Sequence, residues 1–296
     1  MNINAVFNSM RIPFLILTPV CVFLGASTAI FQQFTIDIPT ILLALFGALF
    51  AHVSVNTINE YYDFDSGLDL STKRTLFSGG SGALPNNPEM ARSVLGIGIL
   101  SLALTFSIGV YFFVKFGFGI LPIGILGLLL IITYTGWINK HPLLCLVAPG
   151  IGFGFLMVLG THYIIAGEYS CLSWIAAAVP FFLINNLLLL NQYPDIDADR
   201  RFGRNHFPIA YTVKRSNMIY GLFILLTMAV LIGGVFLGFM PSACLVALIP
   251  MPLAFYSLSG AIKHGKAIGE FPKYLATNVA TAILSPLLLG FSLLLS

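Results

Sequence analysis

Long apolar segments follow one another along almost the whole chain, and this pattern limits it to one class of fold. Each segment has about 20 mostly apolar residues, the length that an α-helix needs to cross a bilayer. Only 8% of the residues are charged, whereas soluble domains have roughly a quarter. The sequence therefore predicts an all-α, polytopic membrane protein with nine spans, at 12–31, 38–58, 92–114, 117–137, 142–166, 172–191, 214–238, 240–261 and 275–295.

The placement of the basic residues predicts the orientation of these spans. If the N terminus is cytoplasmic, only Lys115 of the 14 Lys and Arg residues lies on the outer side, as the positive-inside rule requires. The long loops 59–91 and 192–213 then face the cytoplasm, and the cell inner membrane is the expected location. The net charge of +3 is too small to indicate nucleic-acid binding. The four cysteines stand alone in or beside apolar runs, which favours core residues over disulfides or a zinc site.

An acidic stretch, residues 182–205, follows the sixth predicted span. Asn191, Asp195 and Asp199 recur every four residues and would share one face if the helix continues. Charged groups at the end of an apolar segment are costly and need a partner. Oxygen ligands suit a hard cation such as Mg²⁺, which also accepts a substrate phosphate.

A second acidic stretch, residues 55–82, repeats this arrangement after the second predicted span. Asn59 and Asp63 are four positions apart, and Asp65 and Asp69 follow. The repetition suggests two related halves that face each other. Two solvated acidic loops on an unrelated membrane protein are the alternative interpretation.

Basic residues stand close to both acidic stretches. A diphosphate substrate could bridge to the carboxylates through metal ions, which would neutralise the charge on departing pyrophosphate. Glycine-rich residues 78–82 offer backbone amides to a phosphate, although a flexible hinge is equally consistent with them. The basic residues expected to bind the diphosphate oxygens are Lys73, Arg74, Arg201 and Arg204.

Several pieces of the chain resemble one family. NTINEYYDFDSGLD with KRTLFSGGSGALP, and NQYPDIDADRRFGR, are similar to the two Asp-rich motifs of the UbiA superfamily of intramembrane prenyltransferases. RIPFLILTPV, YTGWINKHPL and LMVLGTHYIIAG agree with it. The G-x-D ending of the first motif and the VLGTHY piece look most like the 1,4-dihydroxy-2-naphthoate polyprenyltransferases of menaquinone synthesis.

The resemblance implies one membrane-embedded domain over residues 1–296, in two halves of about 1–137 and 138–296. Nine helices would surround a central cavity under cytoplasmic Asp-rich cap loops. A prenyl diphosphate would bind with two Mg²⁺ ions, lose pyrophosphate, and leave an allylic cation for an aromatic acceptor to attack, with loss of carbon dioxide from naphthoate-type acceptors. The catalytic residues would be Asp63, Asp69, Asp195 and Asp199, and the metal ligands Asn59, Asp63, Asp65 or Asp69, Asn191, Asp195 and Asp199.

The chain also departs from the family pattern. Glu60 replaces a common aspartate, and Gly67 interrupts the four-residue repeat, so that either Asp65 or Asp69 must supply the third ligand. No acidic residue lies near 144–147, which leaves naphthoate, hydroxybenzoate, a chlorin ring and glycerol phosphate open as acceptors. Tyr134 and Lys140 are predicted either to contact acceptor or diphosphate or to anchor the interface.

Two histidines and two other protein classes complete the predictions. His52 and His162 are expected to be packed core residues, with a site role as the alternative, and Asp197 is expected to face away from its neighbours. A CDP-alcohol phosphotransferase would have one compact Asp cluster, whereas this chain has two. A cation transporter would place its carboxylates in the middle of the spans, not at their inner ends.

Overall fold

The computed structural model describes residues 3–296, which form helices joined by short connections. The longer α-helices contain the apolar segments of the sequence. They are α3 (Leu17–Phe31), α4 (Ile38–Asp65), α7 (Ala91–Phe116), α8 (Leu121–Thr133), α9 (Pro142–Gly150), α11 (Cys171–Asn191), α14 (Val213–Phe236), α15 (Met251–His264) and α16 (Pro272–Leu294).

Short helices precede, cap or extend these elements. They lie mainly in the two stretches that the sequence marks as long inner loops. The short α-helices are α1 (Ile3–Ser9), α2 (Ile12–Leu15), α5 (Leu68–Ser71), α6 (Ala83–Asn86), α10 (Gly160–Ala166), α12 (Ile196–Arg201) and α13 (Phe207–Tyr211). Turns of 3-10 helix cover Pro88–Met90, Gly117–Ile120, Ile138–Lys140, Ser242–Leu248 and Gly265–Glu270, and Ile151–Leu159 is a π-helix.

Eight segments of the described chain are long and apolar enough to cross a membrane, where the sequence predicts nine. The predicted spans 92–114 and 117–137 are merged in one 46-residue segment, Pro88–Thr133. A 3-10 turn, not a loop, joins α7 to α8, and Gly117 begins it with a φ of 77°. The other seven are Ile12–Phe31, Ile38–Asp65, Pro142–Ala166, Cys171–Asn191, Val213–Phe236, Ser242–Glu270 and Pro272–Leu294.

The α11 helix packs against α3, α9, α14, α16 and the π-helix. Small residues permit this packing, as is usual between membrane helices. A Cβ on Gly154 would lie 2.6 Å from the backbone nitrogen of Phe181, and one on Gly25 would lie 2.5 Å from the carbonyl oxygen of Val158. Larger residues at these two positions would force the helices apart.

The π-helix forms one wall of the bundle interior, and it begins just after Pro149. Proline has no N–H and disturbs the regular helical hydrogen bonds around it. The backbone N–H of Gly150 donates to the side-chain oxygen of Asn185 at 2.6 Å. A neighbouring helix thus satisfies the polar backbone of an irregular helix within the apolar region, as such segments require.

Candidate active site

A cavity of about 540 Å³ lies inside the helix bundle. Its walls are mainly apolar and come from α4, α7, α8, α9 and the π-helix, while both acidic stretches contribute polar residues to it. The polar and charged side chains along the lining include Arg11, His52, Asn56, Asn59, Asp63, Asp69, Tyr134, Asn191, Gln192, Asp195, Asp199, Arg204 and His206.

The first acidic stretch reaches this cavity from the end of α4. Because α4 continues to residue 65, Asn59 and Asp63 lie one turn apart on the face that lines the cavity. Asp65 is exposed and does not line it. Gly67 then turns the chain with a φ of 83°, a conformation that favours glycine. This turn returns Asp69, in α5, to the cavity.

The second acidic stretch is positioned differently from the sequence prediction. The shared face of Asn191, Asp195 and Asp199 depends on a helix that continues past residue 191, and the helix does not continue: α11 ends at residue 191 and α12 begins at Ile196. Pro194 accounts for the break, because it lacks an N–H and disfavours helix in the residue before it. The two aspartates still share one turn, since the Asp199 N–H donates to the Asp195 carbonyl at 2.8 Å.

Arg204 joins the two acidic stretches. Its guanidinium forms an ion pair with Asp63 of the first stretch and with Asp199 of the second at 3.2 Å. Asp199 also contacts the Nε2 atom of the buried His206 at 2.9 Å. Carboxylates that are far apart in the sequence therefore lie on the two sides of one guanidinium, at the same end of the cavity.

The glycine-rich loop, residues 78–82, donates backbone hydrogen bonds to carboxylates of both acidic stretches. The Gly79 N–H donates to a carboxylate oxygen of Asp195 at 3.0 Å, and the Ser81 N–H donates to Glu60 at 3.2 Å. Gly79, Gly80 and Gly82 all have φ values between 71° and 76°, in the left-handed region that favours glycine. In this arrangement the amides bind protein carboxylates from both stretches.

Burial makes the charged forms of two of these aspartates unfavourable. The pKa of Asp69 is raised to about 8, first by burial and then by the neighbouring charges of Glu60 and Asp63. The pKa of Asp195 is raised to about 7, again by burial and then by Asp199. A bound cation would oppose both effects, because it stabilises carboxylate over carboxylic acid.

The oxygen ligands fit a hard cation. One enclosed oxygen each of Asp69, Asn191 and Asp195 has no hydrogen-bond partner in the described structure, although buried oxygens normally have one. Within residues 3–296, no three His, Cys, Asp or Glu side chains are close enough to hold a metal ion by themselves. Magnesium commonly binds through one or two carboxylates together with substrate phosphates and water, so this set suits an ion that arrives with a diphosphate.

Most of the predicted basic ligands lie outside the cavity. Lys73 pairs with Glu270 at 3.1 Å on the surface, and the Nε of Arg201 donates to the Asp197 carbonyl at 3.3 Å. Arg74 and Lys140 are exposed and do not line the cavity either. Of the predicted diphosphate ligands, Arg204 alone lines it. Tyr134, a predicted acceptor or diphosphate contact, lines it as well.

Arg11 is a cavity residue that the sequence does not predict. It connects α1 to α2 with a left-handed backbone, φ 53°, and its guanidinium contacts Glu60 at 3.4 Å and Asn59 at 3.5 Å. Its position just before the first apolar span indicates only the orientation of the spans. Nothing in its local sequence indicates a contact with residues almost fifty positions away.

Comparison with known protein families identifies the family of this chain. Residues 16–291 match the model of the UbiA prenyltransferase family. The chain belongs to the UbiA prenyltransferase family. It is a multi-pass integral membrane protein of that family of enzymes.

Two curated UbiA relatives match part of the chain. It is 27% identical over 194 residues to the 1,4-dihydroxy-2-naphthoate octaprenyltransferase of Bacillus subtilis (strain 168), which is 64% of this chain and 60% of that protein. It is 31% identical over 214 residues to UbiA prenyltransferase domain-containing protein 1 of Danio rerio, 70% of this chain and 60% of that one. The matches span about 60% of the length of each relative.

Solved structures of UbiA homologues have the same fold. A homologue from Archaeoglobus fulgidus bound to DMAPP and Mg²⁺ has a TM-score of 0.63 at 17% identity, with 98% of both chains covered. The apo structure of a homologue from Aeropyrum pernix K1 has a TM-score of 0.68 at 18% identity, covering 96% of this chain and 98% of that one. At these identities the likeness establishes the fold alone.

Proposed function

We propose that this protein transfers a prenyl group from a prenyl diphosphate to an aromatic acceptor inside the membrane, in a Mg²⁺-dependent reaction. The observation that supports this most strongly is the meeting of both acidic stretches at one end of an apolar cavity. The polar end suits the diphosphate, and the apolar walls suit the hydrocarbon tail. Family membership supplies the class of reaction.

The proposed Mg²⁺ ligands are oxygen donors from both stretches, and the family resemblance implies two ions. Asp69 is proposed over Asp65 as the third ligand of the first stretch, because Asp65 lies on the surface. Bound Mg²⁺ would neutralise negative charge on the departing pyrophosphate. The donors are Asn59, Asp63, Asp69, Asn191, Asp195 and Asp199.

The chain's own cations and amides have a proposed role in holding the diphosphate. Arg11 and Arg204 line the cavity beside the carboxylates, and arginine binds phosphate oxygens through two N–H groups at once. Lys73, Arg74 and Arg201 are exposed near the same end and would have to move inward to contact it. The Gly79 amide, which now donates to Asp195, could donate to a phosphate oxygen instead.

The apolar walls have the second proposed role, which is to exclude water from the reacting carbon. When the bond between the prenyl carbon and the diphosphate oxygen breaks, the allylic cation must meet the acceptor ring before water. The ring carbon then forms the new bond, and the ring regains its aromaticity by losing a proton or, with a naphthoate acceptor, carbon dioxide. Tyr134 lines the cavity, and an aromatic face near a cation lowers its energy.

The proposed acceptor is a naphthoate of the menaquinone type. The support for it is the naphthoate octaprenyltransferase among the relatives, together with the ending of the first motif. One solved structure of the same fold is described as a digeranylgeranylglyceryl phosphate synthase, with a TM-score of 0.68 at 17% identity. Transfer to a glycerol phosphate is therefore the second acceptor to test.

The proposed topology has nine crossings, with the N terminus and the active site cytoplasmic and two related halves, about 1–137 and 138–296. The number of crossings is supported by the length of one segment and by its turn. The 46-residue segment Pro88–Thr133 would be about 69 Å long at 1.5 Å per residue, more than twice the roughly 30 Å of a hydrocarbon core. It turns at Gly117, and α7 and α8 contact each other beyond the turn.

The test is a product assay with purified protein. Labelled prenyl diphosphate, Mg²⁺ and a panel of naphthoate, hydroxybenzoate, chlorin and glycerol phosphate acceptors are incubated, and the products are identified by mass spectrometry. Asp63→Asn and Asp195→Asn should abolish Mg²⁺-dependent pyrophosphate release, while the exposed Asp65→Asn should retain it. Normal turnover in both of the first two variants would refute the proposal.

A further inference from the structure

His52 is a polar residue in the apolar part of the cavity. It lies in α4, is only 6% exposed, and lines the cavity. Its Nδ1 is 2.9 Å from the hydroxyl of Thr18. Within residues 3–296, no group lies within hydrogen-bonding distance of its Nε2. Nε2 is not among the enclosed unpartnered atoms, so this edge of the ring is the one that opens to the cavity.

The ring is fixed in this orientation from two sides. Thr18 binds one nitrogen, and Phe153 packs edge-on against the ring with centroids 4.7 Å apart. A polar atom in an apolar cavity costs free energy unless it forms a hydrogen bond. A prenyl tail has no group that could form one. Among the bound ligands, a partner for Nε2 therefore has to be a group other than the prenyl tail.

The position of His52 along α4 indicates which part. His52, Asn56 and Asn59 follow one another at four- and three-residue intervals and line the cavity together, so they form one polar stripe on a helix face. His52 is seven residues from Asn59, about 10 Å deeper at 1.5 Å per residue. The lining from α8 and the π-helix is mainly apolar and includes Gly124, Gly127, Ile131, Gly152 and Leu156.

We propose that His52 positions the acceptor by a hydrogen bond between Nε2 and a ring hydroxyl. The acceptor then lies against the polar stripe of α4, and the prenyl tail lies against the apolar wall of α8 and the π-helix. A hydroxyl both donates and accepts, so it pairs with either neutral tautomer of the imidazole. This inference rests on the proposed function, since it requires a hydroxyl-bearing aromatic acceptor.

His162 provides a matched control. Its Nδ1 is 2.9 Å from the hydroxyl of Thr28, the same local arrangement that His52 has with Thr18. Its Nε2 is enclosed, and the residue does not line the cavity. Replacing His162 therefore tests the effect of losing a threonine–histidine pair between helices without touching the proposed acceptor position.

Two substitutions distinguish the roles of the two ring nitrogens of His52. Asparagine retains a polar atom near the position of Nδ1, which serves Thr18, and glutamine retains one near Nε2, which serves the acceptor. With geranyl diphosphate, Mg²⁺ and 1,4-dihydroxy-2-naphthoate, His52→Asn should raise the KM for the acceptor about tenfold, the effect of one lost hydrogen bond in a buried site. The KM for geranyl diphosphate should not change. His52→Gln should stay close to wild type, as should His162→Asn.

The opposite pattern would overturn the inference. If His52→Asn behaves as wild type and His52→Gln is impaired, the residue serves only the contact with Thr18. A measurement on the wild-type protein covers the case in which the variants fail to fold: 1,4-dihydroxynaphthalene should compete with the acceptor about tenfold better than 1,4-dimethylnaphthalene, which has no hydrogen-bonding group. Equal competition would refute the hydrogen bond. Absence of transfer to any aromatic acceptor by wild type would instead refute the proposed function.

Discussion

Replacement of Arg204 by methionine should destabilise the protein in the absence of Mg²⁺ much more than replacement of Arg201. Arg204 is the cation that separates Asp63 from Asp199, and the side chains of these aspartates are only 8% and 4% exposed. Arg201 is exposed and makes one contact to a backbone carbonyl. Both arginines follow the second acidic stretch, so the pair compares an enclosed cation with a solvated one.

The size of the effect follows from what each aspartate retains. Without Arg204, Asp199 still contacts His206 at 2.9 Å, whereas Asp63 loses the ion pair that offsets its burial. Removal of one partner from a buried pair costs about 3–5 kcal/mol. For a chain of this size that corresponds to a fall of roughly 6–10 °C in apparent unfolding temperature. Arg201→Met should change the unfolding free energy by less than about 0.5 kcal/mol.

The assay is thermal unfolding in detergent, followed with a thiol-reactive dye that reports exposure of the buried Cys21, Cys145 and Cys244. Excess Mg²⁺ should restore part of the stability of Arg204→Met, because a cation can replace the lost positive charge between the carboxylates. Equal shifts for the two variants, or a loss that Mg²⁺ leaves unchanged, would refute the view that Arg204 balances charge within a cation-binding site.

Three further outcomes are expected. In EDTA the apparent unfolding temperature should fall as the pH rises from 6 to 8.5. The pKa values of Asp69, about 8, and Asp195, about 7, are raised in the folded state, which is therefore favoured only while these groups are protonated. Mg²⁺ should reduce this fall, and an unfolding temperature that rises with pH would contradict the prediction. Gly79→Ala should strongly lower pyrophosphate release, because the φ of Gly79 is 76° and a Cβ there would lie 2.9 Å from the Arg74 backbone. Gly96→Ala is the control and should not lower it, because there is open space around Gly96. Lys73→Met should leave thermal stability unchanged, because its ion pair is exposed, yet raise the KM for prenyl diphosphate if the residue closes over the substrate.

The membrane architecture and the first acidic stretch were predictable because they depend on local sequence. Span length follows from runs of apolar residues, and eight candidate spans are present in the described chain. The shared face of Asn59 and Asp63 was predictable because α4 continues past both residues. Across Gly117, composition could not distinguish two separate helices from one long segment with a turn, since both sides are equally apolar.

The interior cations were not predictable from the sequence. Arg201 and Arg204 are both followed by short, flexible sequence, and only the turn after α12 decides that Arg204 faces the carboxylates. Arg11 reaches Glu60 across a helix packing contact that leaves no local pattern. The shared face of Asn191, Asp195 and Asp199 requires a helix that continues past residue 191, and Pro194 prevents this, so that α11 ends at residue 191.

The central claim is that two acidic stretches bind one diphosphate, and Mg²⁺-dependent binding of a non-hydrolysable prenyl thiodiphosphate tests it most directly. Calorimetry would compare wild type with Asp63→Asn, Asp195→Asn and the double variant. If both carboxylates act on the same anion, each single change removes most of the Mg²⁺-dependent affinity and the double variant loses little more than either, because the effects of residues that act as a unit are not additive. Two independent losses that simply add, or unchanged affinity in either single variant, would contradict the account.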